Sequence, residues 1–189
     1  SQINKTYWER LENGEISKSE VLIGRFRDFF REEGLDTSLA EKFNEDYQIR
    51  LGDTIVYQDD SLDIVRSLKG KVKQYVVSNG TVLAQTRKLK LSGLGDLMEG
   101  IFLSETLGAE KPSLAFFQKV FSALGDVDKS RTLIIGDSLT SDIRGGNNAG
   151  ILTCWYNPGH FSADSRYTID YEIADLHELY HILSPFCSK

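Results

Sequence analysis

The chain has 189 residues, 40% of them hydrophobic and 26% charged, with a formal net charge of −6. That length holds one good-sized core, or a core with a smaller appendage, and the composition is ordinary for a globular fold. The acidic balance argues against nucleic acid as a partner, because phosphate backbones attract a Lys/Arg surplus, yet local groups can still hold a small phosphorylated ligand.

The first residues, "SQINKTYWERL", begin with Ser1 and already read as helix. A second helix is predicted in "KSEVLIGRFRDFFREEG", where Val21, Leu22, Phe26, Phe29 and Phe30 share one face and Gly34 stops the run. A third follows through Leu39, Phe43, Tyr47 and Leu51. This aromatic stripe is read as core packing, not as a cofactor face. From about Asp59 the pattern changes. Helix "SLDIVRSLKG", strand "KQYVVSNG", helix "VLAQTRKLKLSG", strand "GIFLS" and helix "SLAFFQKVFSALG" come in turn. Strand "TLIIGD", helix "TSDIRGGNNAG", strand "ILTCWYN" and a last helix "LHELYHIL" complete the series. Short apolar strands alternating with helices predict an α/β fold, a Rossmann-like parallel sheet with helices on both faces. The expected division is a helical cap over residues 1–57 and the α/β core over 58–189. No stretch reads as a signal peptide or as an apolar run long enough to span a bilayer. Two cysteines, Cys154 and Cys187, form no disulfide framework and suggest a reducing, cytoplasmic setting.

Ligands of such sheets bind outside the carboxyl ends of the strands, and three strand exits carry suitable residues. The first is Ser78-Asn79-Gly80-Thr81, a hydroxyl and backbone N–H groups leading into a helix, which suits a phosphate. Taken alone it is also an ordinary capped turn. The second is Lys111-Pro112 at a helix start. The third is Asp137 with Asp142 in "LIIGDSLTSDIRGG", where a hard cation such as Mg²⁺ would find carboxylate oxygens. Gly145, Gly146 and Gly150 are assigned to close helix–sheet approach. His160, His177 and His181 are scattered and receive no ligand role, and Trp155 and Tyr156 are read as packing residues.

The order of these motifs, with "EKP" and "IIGDSLTSDIRGGNNAGILTCWYNP", resembles the haloacid dehalogenase superfamily of phosphohydrolases, and within it the pyrimidine 5′-nucleotidase-like branch. The resemblance extends over essentially the whole chain. It implies a Mg²⁺-dependent phosphomonoesterase acting on a small phosphorylated substrate such as a nucleoside monophosphate, without nucleic-acid or membrane partners. It also implies an attacking Asp that becomes an aspartyl-phosphate, hydrolysed in turn by water. By matching positions, Ser78 and Lys111 would be the catalytic residues of this chain, binding the phosphate with Asn79 and Gly80. Asp137 and Asp142 would form the metal site, with Asp142 completing or supporting the shell.

The family's D-x-D-x-T stretch, which carries the attacking Asp, does not occur among these residues. "LGDTIVYQDD" puts Leu51 at the nucleophile position, and "SNGTVL" has no Asp. The resemblance places that first strand between Val76-Val77 and Ile134-Ile135. The expectation is therefore a C-terminal portion of a longer phosphatase, inactive by itself. The other possibility is a short chain completed by a strand-donating partner or a swapped dimer. The alternative from another class is a receiver-type or flavodoxin-like module that binds Mg²⁺ without turnover.

Overall fold

The computed structural model describes residues 1–185; Cys187 lies outside them. Three helices come first: α1 (Gln2–Glu12), α2 (Lys18–Glu32) and α3 (Ala40–Asp53). Helix α2 starts at a capping box, in which Ser17 and Glu20 satisfy each other's free backbone N–H groups. Its expected apolar face is only partly covered. Val21 and Phe30 are buried, whereas Phe29 is exposed, and on α3 Phe43 is exposed as well. The rings still meet edge to face, Phe26 with Phe43 at 4.9 Å and with Tyr47 at 5.1 Å. Arg25 occupies a buried position on the same stripe, its guanidinium over Phe26 and Tyr47 and one N–H on Asn4 Oδ1 at 2.6 Å.

The alternating part is α4 (Ser61–Leu68), β1 (Tyr75–Ser78), α5 (Val82–Ser92), β2 (Gly100–Leu103), α6 (Ser104–Leu107), α7 (Leu114–Leu124), β3 (Leu133–Gly136), α8 (Arg144–Ala149), β4 (Leu152–Tyr156), β5 (Tyr171–Ile173) and α9 (Leu179–Leu183). Every strand pairing is parallel, as predicted. The strands fall into two pieces, β1-β2 and β3-β4-β5. Val77 pairs with Phe102 in the first piece and Ile135 with Cys154 in the second. One edge of β1 and one edge of β3 have no strand partner among the described residues, and Ile135 is 40% exposed although it lies inside a parallel strand.

One apolar cluster joins the two pieces: Phe116, Phe117 and Val120 of α7, Ile134 of β3 and Ala149 of α8, with Val77 and Phe102 packed against them. A second cluster, Cys154, Ile173 and Leu179, lets α9 cover the other face. Helices thus cover both faces, as the strand pattern requires. Gly145 and Gly146 set the spacing. A Cβ at Gly145 would fall 2.7 Å from the Phe117 ring, and one at Gly146 2.6 Å from the Thr153 methyl group. The N-terminal helices dock through α3 on α5 by the same device, since a Cβ at Gly52 would fall 2.9 Å from Arg87 Cβ. Beside that contact Arg87 grips Asp53 through two hydrogen bonds, 2.8 and 2.9 Å long.

Candidate active site

The turn after β1 is held from several sides. Ser78 Oγ accepts the Gly80 N–H at 3.0 Å, which closes the turn and leaves the Ser78 hydroxyl proton to donate elsewhere. Asn79 is buried, and its amide pairs twice with the Lys111 backbone: Nδ2 donates to the Lys111 carbonyl and Oδ1 accepts the Lys111 N–H, both at 2.8 Å. The Asn79 side chain is therefore spent on holding Lys111, and only its backbone remains to face a ligand. Thr81 caps α5, accepting the Ala84 N–H at 3.2 Å and donating its hydroxyl proton to Gln48 of α3 at 2.8 Å.

Braced in this way, Lys111 sends its side chain to the strand exits. Its Nζ donates to the Val77 carbonyl at 3.1 Å and to Asp142 Oδ1 at 2.6 Å. Both side chains of this ion pair are at most 10% exposed. The second Asp142 oxygen accepts the Ser138 N–H at 3.3 Å. The backbone reaches Asp142 through one turn of π-helix, Leu139–Ile143, which is separated from β3 by Asp137 and Ser138 and runs into α8. Such turns are common at functional sites. Gly136 makes room for the carboxylate, since a Cβ there would land on it.

Asp137 stands at the exit of β3 with an exposed side chain, which makes no hydrogen bond among the described residues; its carbonyl accepts the Trp155 indole N–H at 3.1 Å. The sequence motifs at 78–81, 111 and 142 thus converge on one place, whereas Asp137 lies beside it and is not bonded to the others. Among the described residues, no three Asp, Glu, His or Cys side chains lie close enough to hold an ion by themselves.

Two N-terminal side chains that sequence reasoning passed over also reach this place. Glu12, at the end of α1, has its carboxyl pushed above the usual range, first by burial and further by the nearby Asp142 charge. Lys18, at the start of α2, bonds the Gly80 carbonyl and Ser104 Oγ. A lysine one residue into a helix carries no signal that separates it from a surface lysine. Trp155 is buried, and Tyr156 donates its hydroxyl proton to Asp59 at 2.7 Å, so both have structural partners as expected.

Comparison with known proteins gives this geometry a lineage. A family model described as haloacid dehalogenase-like hydrolase matches residues 2–150. The HAD-hydrolase YfnB of Bacillus subtilis is 36% identical over 96% of this chain and 77% of its own length. Pyrimidine 5′-nucleotidase PynA of Streptococcus pneumoniae is 36% identical over 94% of this chain and 75% of its own. Pyrimidine 5′-nucleotidase YjjG of Escherichia coli is 29% identical over 96% and 79%. A crystal structure of YfnB, described as bound to magnesium and as revealing interdomain movement, superposes with a TM-score of 0.88 over 96% of this chain and 79% of that one. No helix among the described residues is long and apolar enough to cross a membrane. Its matched residues, its fold and its relatives agree: the chain belongs to the haloacid dehalogenase-like hydrolases, and by lineage it is an enzyme.

Proposed function

We propose that these residues form the phosphate-binding and metal-holding part of a Mg²⁺-dependent phosphomonoesterase that acts on nucleoside monophosphates in the cytoplasm. The observation that carries the reading is the Lys111 ammonium. It links the Val77 carbonyl, one residue before Ser78, to the buried Asp142, and so places one positive charge where a phosphoryl group on the Ser78 turn would need it. The names of PynA and YjjG support a nucleotide substrate. The receiver-type alternative loses ground, because the family match covers the site motifs in their expected order.

The roles follow from the contacts. The Ser78 hydroxyl donates to a phosphoryl oxygen, and Lys111 stabilises the negative charge. Asn79 fixes the Lys111 backbone, while Asp142 orients its ammonium and is itself spent on that task. Asp137 keeps a free, exposed carboxylate, which suits an ion that takes one or two protein carboxylates and retains several waters. Mg²⁺ bound there would neutralise charge on the phosphoryl oxygens. The helices α1 to α3 act as a cap that shapes substrate choice.

The covalent step needs an attacking Asp, and the reading puts it on a strand between the unpaired edges of β1 and β3. The reading takes that strand to be none of those formed by residues 1–185. The split of the sheet at this point supports the placement. The test is release of phosphate from uridine monophosphate and from an aryl phosphate, with and without Mg²⁺. Residues 1–189 alone are expected to be inactive. A version extended with the Asp-bearing strand is expected to turn over only with Mg²⁺. An extended protein that binds Mg²⁺ yet hydrolyses no phosphomonoester would overturn the proposal.

A further inference from the structure

The phosphate turn is flanked by two ammonium groups. Lys111 of the core bonds the Val77 carbonyl on one side at 3.1 Å, and Lys18 of α2 bonds the Gly80 carbonyl on the other at 3.2 Å. Lys18 also donates to Ser104 Oγ at 2.8 Å, and Glu110 Oε1 stands 3.8 Å away, too far for a hydrogen bond. Its side chain is 12% exposed, and the Glu110 Oε2 atom behind the pair is buried with no partner. Burying a charged amine and an unfinished carboxylate is costly, and a surface lysine could avoid it by turning into water. The cost falls where the first residue of α2 meets the exits of β1 and β2, beside the turn Ser78-Asn79-Gly80-Thr81.

We infer that Lys18 is a positioning residue through which the N-terminal helices set the phosphate turn. The inference rests on the proposed role of the turn and deepens it. A carbonyl oxygen aimed at an incoming phosphoryl group repels it. With the Gly80 carbonyl held by Lys18 and the Gly80 N–H held by Ser78, the peptide groups on both sides of Gly80 are fixed before a ligand arrives. Phosphate affinity then depends on the docking of α2, although the phosphate-binding residues belong to the core. Burial pushes the Lys18 amine below its ordinary range, while Glu110 and Glu105 oppose the shift.

The test is calorimetric titration of the chain with inorganic phosphate, comparing wild type, Lys18→Met and Lys18→Arg, with thermal melting alongside. Met keeps the stem and removes the donor, and Arg restores donors. The expected result is about tenfold weaker phosphate binding for Lys18→Met, with most of the loss recovered in Lys18→Arg. Recovery by Arg marks a hydrogen-bonding role, since a packing role would favour Met. Equal phosphate affinity in wild type and Lys18→Met overturns the inference, and so does a loss of affinity that only follows the loss of the folded state. If wild type binds no phosphate, the reading of the turn falls first and this inference falls with it.

Discussion

The two sides of the strand-exit region are built in opposite ways. On the β1 side nearly every polar atom is committed: Ser78 to Gly80, Asn79 to the Lys111 backbone, Thr81 to Gln48, and the Gly80 carbonyl to Lys18. On the β3 side Asp137 stands exposed, its carboxylate without a partner among the described residues. A site for an anion gains from donors fixed in advance, because they cost no reorganisation when charge arrives. A site for a hydrated divalent ion gains from an open carboxylate and room for water. The proposed phosphate-and-metal site has this contrast, and Lys111 with Asp142 forms the joint between its halves.

Breaking that joint should have the largest effect. Lys111→Met leaves Asp142 buried as an unpaired charge and is expected to cost about 3–5 kcal/mol in urea unfolding, while the double variant with Asp142→Asn should recover part of it. A single variant that unfolds like wild type would mean that the pair is not buried as described. On the β1 side, Asn79→Ala removes both bonds to the Lys111 backbone. It should cost about 1–3 kcal/mol by the same measurement, with phosphate affinity falling too.

On the β3 side the expectation is reversed. Asp137→Asn should leave stability within about 0.5 kcal/mol of wild type, because the side chain is exposed, yet abolish Mg²⁺ binding in calorimetry. Equal Mg²⁺ affinity in both proteins would remove Asp137 from the metal site. The smallest effect is expected from His177, whose pKa is raised by its hydrogen bond to Asp175. A raised folded-state pKa means that the contact stabilises fully below the unfolded value of about 6.5 and is lost as pH rises through the folded value. Melting followed from pH 5.5 to 8.5 should show a small loss that His177→Asn abolishes.

The parts legible in the sequence were those fixed by local pattern. Short continuous apolar runs marked β1 to β4, the 3.6-residue period marked the main helices, and the order Ser78, Lys111, Asp137, Asp142 marked the candidate site. What escaped was set by tertiary contact. The three residues of β5 are too few to show a pattern, and the π-turn at 139–143, from which the Asp142 side chain reaches Gly136, has no sequence signal. Asn79 read as a phosphate-binding residue, and what the pattern did not show is that its side chain braces the Lys111 backbone. Phe29 and Phe43 fit a buried stripe by spacing and are nonetheless exposed, while Arg25 on the same stripe is buried between aromatic rings. Spacing defines a face; it does not say what will cover it.

The most direct test of the central claim, that one phosphoryl group is held between the two halves, is a crystal structure of the chain grown with Mn²⁺ and inorganic phosphate. The account predicts anomalous density at the Asp137 carboxylate and a phosphate bonded to Ser78 Oγ and Lys111 Nζ. Metal density away from Asp137, or a phosphate bound elsewhere with the Ser78 turn empty, would contradict it.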